Sequence, residues 1–259
     1  MKNILIGMQK ELYDCHNNWG KEYHKINFDR AKLTAAAIPN DTAIILDIGC
    51  GDGLVLSMLR DSGYDAVGFD LSYHALKHIK NVKLVQGSAC HLPFSSNSFD
   101  CVMACEVLEH IPDNIFNSVL EEISRVTKKY VIITVPYKEK LEINYACCEA
   151  CGCIFNGAYH LRSFKSEDLK ILLTEIVSIR VDKIVEILNP DRTFSLELFV
   201  RQHLANEYLY YNHSVKCPLC LSKIINKPNR NWIGWISAGM RFLYRFFHRK
   251  KSPLWYLAM

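Results

Sequence analysis

Long apolar runs are missing from this chain of 259 residues: none reaches the roughly 18–20 positions that a membrane-spanning helix requires. The opening Met-Lys-Asn-Ile-Leu-Ile-Gly-Met has too short an apolar stretch for a secretory leader and no small-residue cleavage site. The expectation is a cytoplasmic protein. Acidic residues are missing from the end of the chain. None follows Glu207, whereas nine Lys and Arg do, so residues 208–259 carry +9 and residues 1–207 carry −5. Repeats and low-complexity segments are also missing. With 49% hydrophobic and 22% charged residues, the composition excludes a disordered chain. Cysteine is what the chain has in excess. Eleven are present, and a reducing compartment argues against a disulfide framework.

Residues 43–136 alternate between short apolar runs and amphipathic segments. Strands are expected at 43–48, 65–70, 82–86, 100–105 and 130–135. Helices are expected at 28–37, 54–59, 72–80 (capped by Ser72) and 114–126. Such alternation specifies a parallel sheet with helices on both faces, which binds ligands at the carboxyl ends of its strands. Beyond Pro136 the periodicity fades. A helix capped by Ser166 is expected over 166–175, a strand over 177–188 and a helix, with a strand as the alternative, over 194–205.

The most informative segment is Asp47-Ile48-Gly49-Cys50-Gly51-Asp52-Gly53, between the first strand and its helix. Glycines there let the backbone turn sharply and approach a ligand. Asp70 ends the second strand, where a carboxylate can accept both hydroxyls of a ribose. The third glycine of the dinucleotide fingerprint and the lysine of a phosphate loop are both absent. The turn therefore suits an adenosine and shows no device for a pyrophosphate.

Segments 47–53, 67–72, 87–94 and 98–110 together resemble the class I S-adenosylmethionine-dependent methyltransferases. The resemblance covers about residues 20–137. It implies an α/β fold with a Rossmann-like, doubly wound, mostly parallel sheet. It implies that Asp47, Gly49, Cys50 and Gly51 line the methionine end of the cofactor, that Asp70 binds the ribose and that Leu71 packs on the adenine. Ser88 and Ala89 would flank the adenine edge, with serine where the family often has aspartate, and Glu106 would open the loop below the sulfonium. Methyl transfer needs alignment, exclusion of water and, for a hydroxyl acceptor, removal of a proton. Glu109 and His110 are the first catalytic candidates and His160 follows, with Arg162 and Tyr137 nearby; the bland alternative is a packing or capping Glu-His pair. Glu106-x-x-Glu109-His110 is also similar to a metal-binding stretch of ubiquinone-biosynthesis and small-RNA 2′-O-methyltransferases. Val-Leu-Glu-His equally occurs in methyltransferases with no metal there.

Two Cys-x-x-Cys pairs, Cys148/Cys151 and Cys217/Cys220, have the spacing of zinc knuckles. A closed four-cysteine zinc site would be structural and would pin residues 137–165 over the acceptor site as a lid. Cys147, Cys153 or His160 could replace one ligand, or the two pairs could be unrelated. Gly152 suits the position after the second cysteine of a knuckle, and Leu221 departs from it. Cys-x-x-Cys-Gly, His-x-Arg-Ser-Phe and a late Cys-Pro-x-Cys together resemble methyltransferases of bacterial polysaccharide and glycan biosynthesis. On a helical wheel, residues 232–247 place Trp and Phe on one face and Arg on the other, as an interfacial membrane helix does; the alternative is that the apolar face packs on the body of the protein or on a second subunit.

The expected organisation is a cofactor-binding core (20–137), a lid and zinc-ribbon region (138–230) and a basic C-terminal amphipathic helix and tail (231–259). The expected activity is O-methylation of a small molecule, sugar, glycan or lipid-linked intermediate, on the cytoplasmic face of a membrane reached through the tail. The alternatives are an RNA methyltransferase and a non-catalytic S-adenosylmethionine-binding scaffold. So many large apolar residues argue against nucleic acid as the tail's partner.

Overall fold

The computed structural model describes residues 10–12, 21–176, 184–190, 215–224 and 251–258. Helix α1 (Lys21–Ala36) leads into β1 (Ile44–Ile48), α2 (Leu54–Asp61), β2 (Asp65–Asp70), α3 (Tyr73–Leu76), β3 (Lys83–Gln86) and β4 (Phe99–Cys105). Then follow α4 (Asp113–Val126), β5 (Thr127–Pro136), β6 (Tyr145–Cys147), β7 (Ile154–Asn156), α5 (Ser166–Ile171), β8 (Ile184–Pro190) and β9 (Lys251–Ala258). Seven strands form one sheet in the order β3-β2-β1-β4-β5-β9-β8. The first five are parallel, and β9 and β8 run antiparallel to their neighbours.

The strands form where the sequence is apolar on successive residues, because both sheet faces are covered. Leu46 and Ile48 of β1 point into a core built with Val102, Ala104, Val131 and Ile133 under α4. Helix α4 supplies Ile115, Phe116, Val119, Leu120 and Ile123, buried at the spacing of one helical face. Ile45 points the other way, into a second core with Met103 and Ile132 under Leu56, Leu59 and Leu76. Strand order reverses between β1 and β4, so the loops after these strands diverge and open a crevice at their carboxyl ends.

The expected strands of the core form within three residues of their expected bounds. Helix α3 is shorter than expected: Ser72 caps it, its side chain accepting from the Ala75 amide at 3.2 Å, but it ends at Leu76. The chain then turns through Asn81, at φ 61, to enter β3. Helix α5 begins at Ser166 itself, so this residue is the first of the helix and Lys165 takes the cap position.

The tail also differs. Residues 251–258 form β9 in the central sheet, between β5 and β8, and so are not part of a free tail. Only 255–258 pair with β5; Pro253 lies past that edge, opposite Leu188 of β8. There its missing N–H costs no bond to β5. The helices expected at 194–205 and 232–247 lie outside the described residues.

Beyond β5, the β6–β7 hairpin and residues 215–224 form a small separate core: Leu12, Ala146, Cys148, Tyr159, Val215, Cys217 and Ile224. Residues 137 and 138 are sewn to Phe164, so this module starts and ends beside the carboxyl end of β5.

Candidate active site

A cavity of about 350 Å³ opens where the strand order reverses. The turn after β1 lines one end. Gly49 has φ 70, and a Cβ there would lie 2.4 Å from Val107 Cγ2, so only glycine fits. The Gly49 and Cys50 amides both donate to the Phe69 carbonyl of β2, at 2.7 and 3.2 Å. This sets the turn against the end of β2, where Asp70 stands.

Asp70 is held by two backbone donors. Its Oδ2 accepts from the Gly51 amide at 2.9 Å and its Oδ1 from the Ser72 amide at 2.7 Å. Each carboxylate oxygen can take a second hydrogen bond, which is what two adjacent ribose hydroxyls need. Asp47 sits deeper. Burial, and then the charge of Asp70, push its carboxyl up to about 7. Burial likewise pushes the Cys50 thiol up, with Asp47 adding to it, so Cys50 is an inert packing group in the turn.

Leu71, Ser88 and Ala89 line the cavity beyond Asp70. The Ser88 hydroxyl is 3.2 Å from Cys90 Sγ. Their loop is clamped from α4: Arg125 donates to the carbonyls of Phe94 and Leu92 at 2.7 and 3.1 Å, and Glu122 accepts from the Leu92 amide at 2.6 Å. The donor and acceptor set at this end fits an adenosyl group, with glycines where backbone meets ligand and a pinned carboxylate beside them.

The other end is built by the loop after β4 and the segment around Tyr159. Glu106 has φ 57, a strained value for a non-glycine residue. Its side chain is engaged twice, by Arg30 at 2.6 Å and by the Thr134 hydroxyl at 3.0 Å. His110 and His160 line the cavity, with ring centroids 4.7 Å apart and planes at 74°. His160 Nδ1 is hydrogen-bonded to Glu139 Oε2. His110 Nδ1 faces the Tyr159 carbonyl at 3.3 Å.

Glu109 departs from its expected place. It is completely buried and does not line the cavity, because the turn at Leu108–His110 directs its side chain inward. Burial, then the charge of Glu106, push its carboxyl well up. Arg162 has a structural engagement: it donates to the Leu108 carbonyl at 3.0 Å, pairs with Asp113 and lies 3.9 Å over the Phe116 ring. Tyr137 is not among the cavity residues.

Arg30, Thr134, Glu139 and Tyr159, which engage Glu106, His160 and His110, were not apparent in the sequence as parts of the site. Arg30 had a signal. It shares the helical face of Ala31 and Thr34, both buried, where an arginine needs a partner. The other three are joined to the site only by tertiary contacts.

The four knuckle cysteines come together, with Cys148, Cys151, Cys217 and Cys220 sulfurs all within 4.8 Å of one another. Cys148 Sγ lies 3.5 Å from Cys220 Sγ, and Cys151 Sγ lies 3.6 Å from Cys217 Sγ. The two knuckles have one backbone pattern. Gly152 N donates to Cys148 O and Leu221 N to Cys217 O; Cys148 N donates to Cys153 O and Cys217 N to Ser222 O. Gly152 and Leu221 both have positive φ, 71 and 60, so the leucine adopts the glycine's conformation at its own steric cost.

Comparison with known proteins agrees with the cavity. Residues 46–134 match a family model described as a methyltransferase domain. An uncharacterised protein of Methanocaldococcus jannaschii is 28% identical over 65% of this chain and 79% of its own length. A demethylmenaquinone methyltransferase of Staphylococcus aureus is 30% identical over 46% of this chain. The match spans 57% of that relative's length. A solved structure of a putative methyltransferase from Bacillus halodurans superposes with a TM-score of 0.53 at 17% identity, over 90% of this chain and 97% of that one, which shows a shared fold. Residues 46–134, which carry the Asp47–Asp70 end of the cavity, thus match a methyltransferase domain.

Proposed function

We propose that the chain transfers a methyl group to a hydroxyl oxygen of a sugar, glycan or lipid-linked intermediate. S-adenosylmethionine, when bound, supplies an electrophilic methyl on a sulfonium. The observation that supports the reading is the pairing of two functions in one cavity. The Asp47–Asp70 end suits an adenosyl cofactor, and the opposite end presents the imidazoles of His110 and His160. A hydroxyl must lose its proton as it is methylated, and imidazoles near neutral pH serve that need. Arg30 and Thr134 hold Glu106 beneath the site, and Ala158 and Tyr159 cover it from the cysteine module. The test is an untargeted search for products carrying label from S-adenosylmethionine, in glycan, lipid and RNA pools. Label in the glycan or lipid pool is expected. Label confined to RNA would replace this acceptor class, and binding without transfer would make the chain a scaffold.

The four cysteines further support a structural zinc ion. A tetrahedral four-thiolate site with Zn–S bonds of about 2.3 Å has sulfurs about 3.8 Å apart, close to the 3.5 and 3.6 Å here. With four thiolates the site is closed, so the ion would act by holding the cysteine module together. One zinc per chain is expected on metal analysis, and Cys148→Ser or Cys220→Ser should remove it; undiminished zinc would refute the site. The basic, aromatic segment before β9 supports attachment to the cytoplasmic face of a membrane. Flotation with anionic liposomes should be lost when residues 232–247 have their Trp and Phe replaced by Ser.

A further inference from the structure

Among the described cysteines only Cys151 and Cys220 are exposed. Both belong to the four-sulfur cluster, and each touches a buried sulfur of the other knuckle. Cys151 Sγ is 3.6 Å from Cys217 Sγ, and Cys220 Sγ is 3.5 Å from Cys148 Sγ. An accessible sulfur with a second sulfur in contact is the arrangement in which oxidation ends as a disulfide. In the body of the protein the chemistry is the reverse. Burial pushes the thiols of Cys50, Cys101 and Cys105 up, which leaves them unreactive.

The cluster is tied to the cavity by short steps. Lys216, the residue before Cys217, is hydrogen-bonded to the Tyr159 hydroxyl. Asn156, at the end of β7, holds the same turn: its Oδ1 accepts from the amides of Ala158 and His160 at 2.9 and 3.4 Å. Ala158, Tyr159 and His160 all line the cavity. Its other end, around Asp47 and Asp70, is built from the central sheet. A change at Cys217 therefore reaches one end of the cavity before the other.

We propose that the four cysteines form a peroxide-responsive redox site, in which oxidation links Cys151 to Cys217 and Cys148 to Cys220 and alters the end of the cavity that carries Tyr159 and His160. The exposed thiolate of Cys151 or Cys220 attacks one oxygen of hydrogen peroxide. The O–O bond breaks, hydroxide leaves and the sulfur becomes a sulfenic acid. The buried partner thiolate then attacks that sulfur, forming the S–S bond and expelling a second hydroxide. Each pair thus gives two electrons to one peroxide. Sulfurs joined as disulfides no longer serve as thiolate ligands, so a zinc ion held by them is released. Both links run between the knuckles. Residues 215–224 therefore stay attached to the β6–β7 hairpin while the geometry around Cys217, Lys216 and Tyr159 changes. The site rests on the sulfurs and is independent of the acceptor.

The test is hydrogen peroxide titration of the reduced full chain, followed by peptide mapping without reduction and by zinc release to a chromogenic chelator. Consumption of about two peroxides per chain is expected, with the Cys151–Cys217 and Cys148–Cys220 disulfides as products and dithiothreitol reversing both. Amide hydrogen exchange at residues 158–160 should quicken by about tenfold or more on oxidation, while that at 47–53 stays unchanged. In Cys220→Ser only the Cys151–Cys217 link should form, and in Cys151→Ser only the Cys148–Cys220 link. Circular dichroism identifies a variant that does not fold, and the disulfide map of the parent chain then carries the test. Four thiols left intact by peroxide, disulfides that use other cysteines or stay within one knuckle, or unchanged exchange at 158–160 would overturn the proposal. The two expected disulfides formed by a chain that holds no zinc would uphold the redox site and refute only the metal.

Discussion

Tyr159 is bonded to Lys216 twice through one oxygen: its hydroxyl donates to the Lys216 carbonyl at 3.0 Å and accepts from the Lys216 amide at 2.8 Å. The carbonyl of the same Tyr159 faces His110. Lys216 precedes Cys217 of the second knuckle, so one residue joins the cysteine module to the end of the cavity where the acceptor is expected. Tyr159→Phe removes the hydroxyl and leaves the Lys216 amide without its acceptor. That should cost about 1–3 kcal/mol of stability, and thermal denaturation measures it. A variant as stable as the parent would show that the two parts are not coupled there.

Asp70 should decide cofactor affinity. Asp70→Ala removes the acceptor for the Gly51 and Ser72 amides as well as the carboxylate offered to the ribose. S-adenosylmethionine affinity should fall by at least about a hundredfold, roughly 2.8 kcal/mol. Calorimetric titration checks this. Adenosine and S-adenosylhomocysteine should lose affinity alike, because the ribose is common to all three.

The pH dependence of binding follows from Asp47, whose carboxyl stands at about 7 in the fold against 3.8 ordinarily. The folded chain then holds more protons here than the unfolded one between these two values. Asp47's contribution to stability is thus fully present below 3.8 and is lost as the pH rises through about 7. Cofactor binding has the opposite sign, because a cationic ligand favours ionised Asp47. Affinity should rise by up to about tenfold per pH unit as the pH approaches about 7 and then level. Asp47→Asn should flatten that rise; an unchanged slope would assign it to another group.

Gly49→Ala should damage the turn. The added Cβ meets Val107 at 2.4 Å, and φ 70 is strained for alanine. A loss of about 1–3 kcal/mol in stability is expected, together with weaker cofactor binding. Gly63→Ala is the control: its φ of 84 is similarly strained, but nothing lies within 4 Å of its Cβ. It should lose less.

What was legible in the sequence was local. Asp47, Gly49, Gly51 and Asp70 were readable because a β-turn-α junction imposes its residue types within one short segment. The cysteine pairs were readable because a knuckle needs its two thiols three positions apart. Pairings across long separations were not. Nothing near Lys251 announces that β9 returns to lie against β5, since a strand inserted between two others is recognised only by its partners. The burial of Glu109 is a similar case. Glu-His within an apolar stretch reads equally well as a cavity-facing pair, and the direction of the Leu108–His110 turn decides which of the two enters. The left-handed conformation at Leu221 was hidden too, because the knuckle's tertiary demands override the residue's own preference.

Titration of the full chain with S-adenosylmethionine tests the central claim most directly. One molecule should bind per chain, with micromolar affinity, and Asp70→Ala should abolish it at the same concentrations. Absence of binding by the folded parent chain, or binding indifferent to Asp70, would contradict the assignment of the cavity.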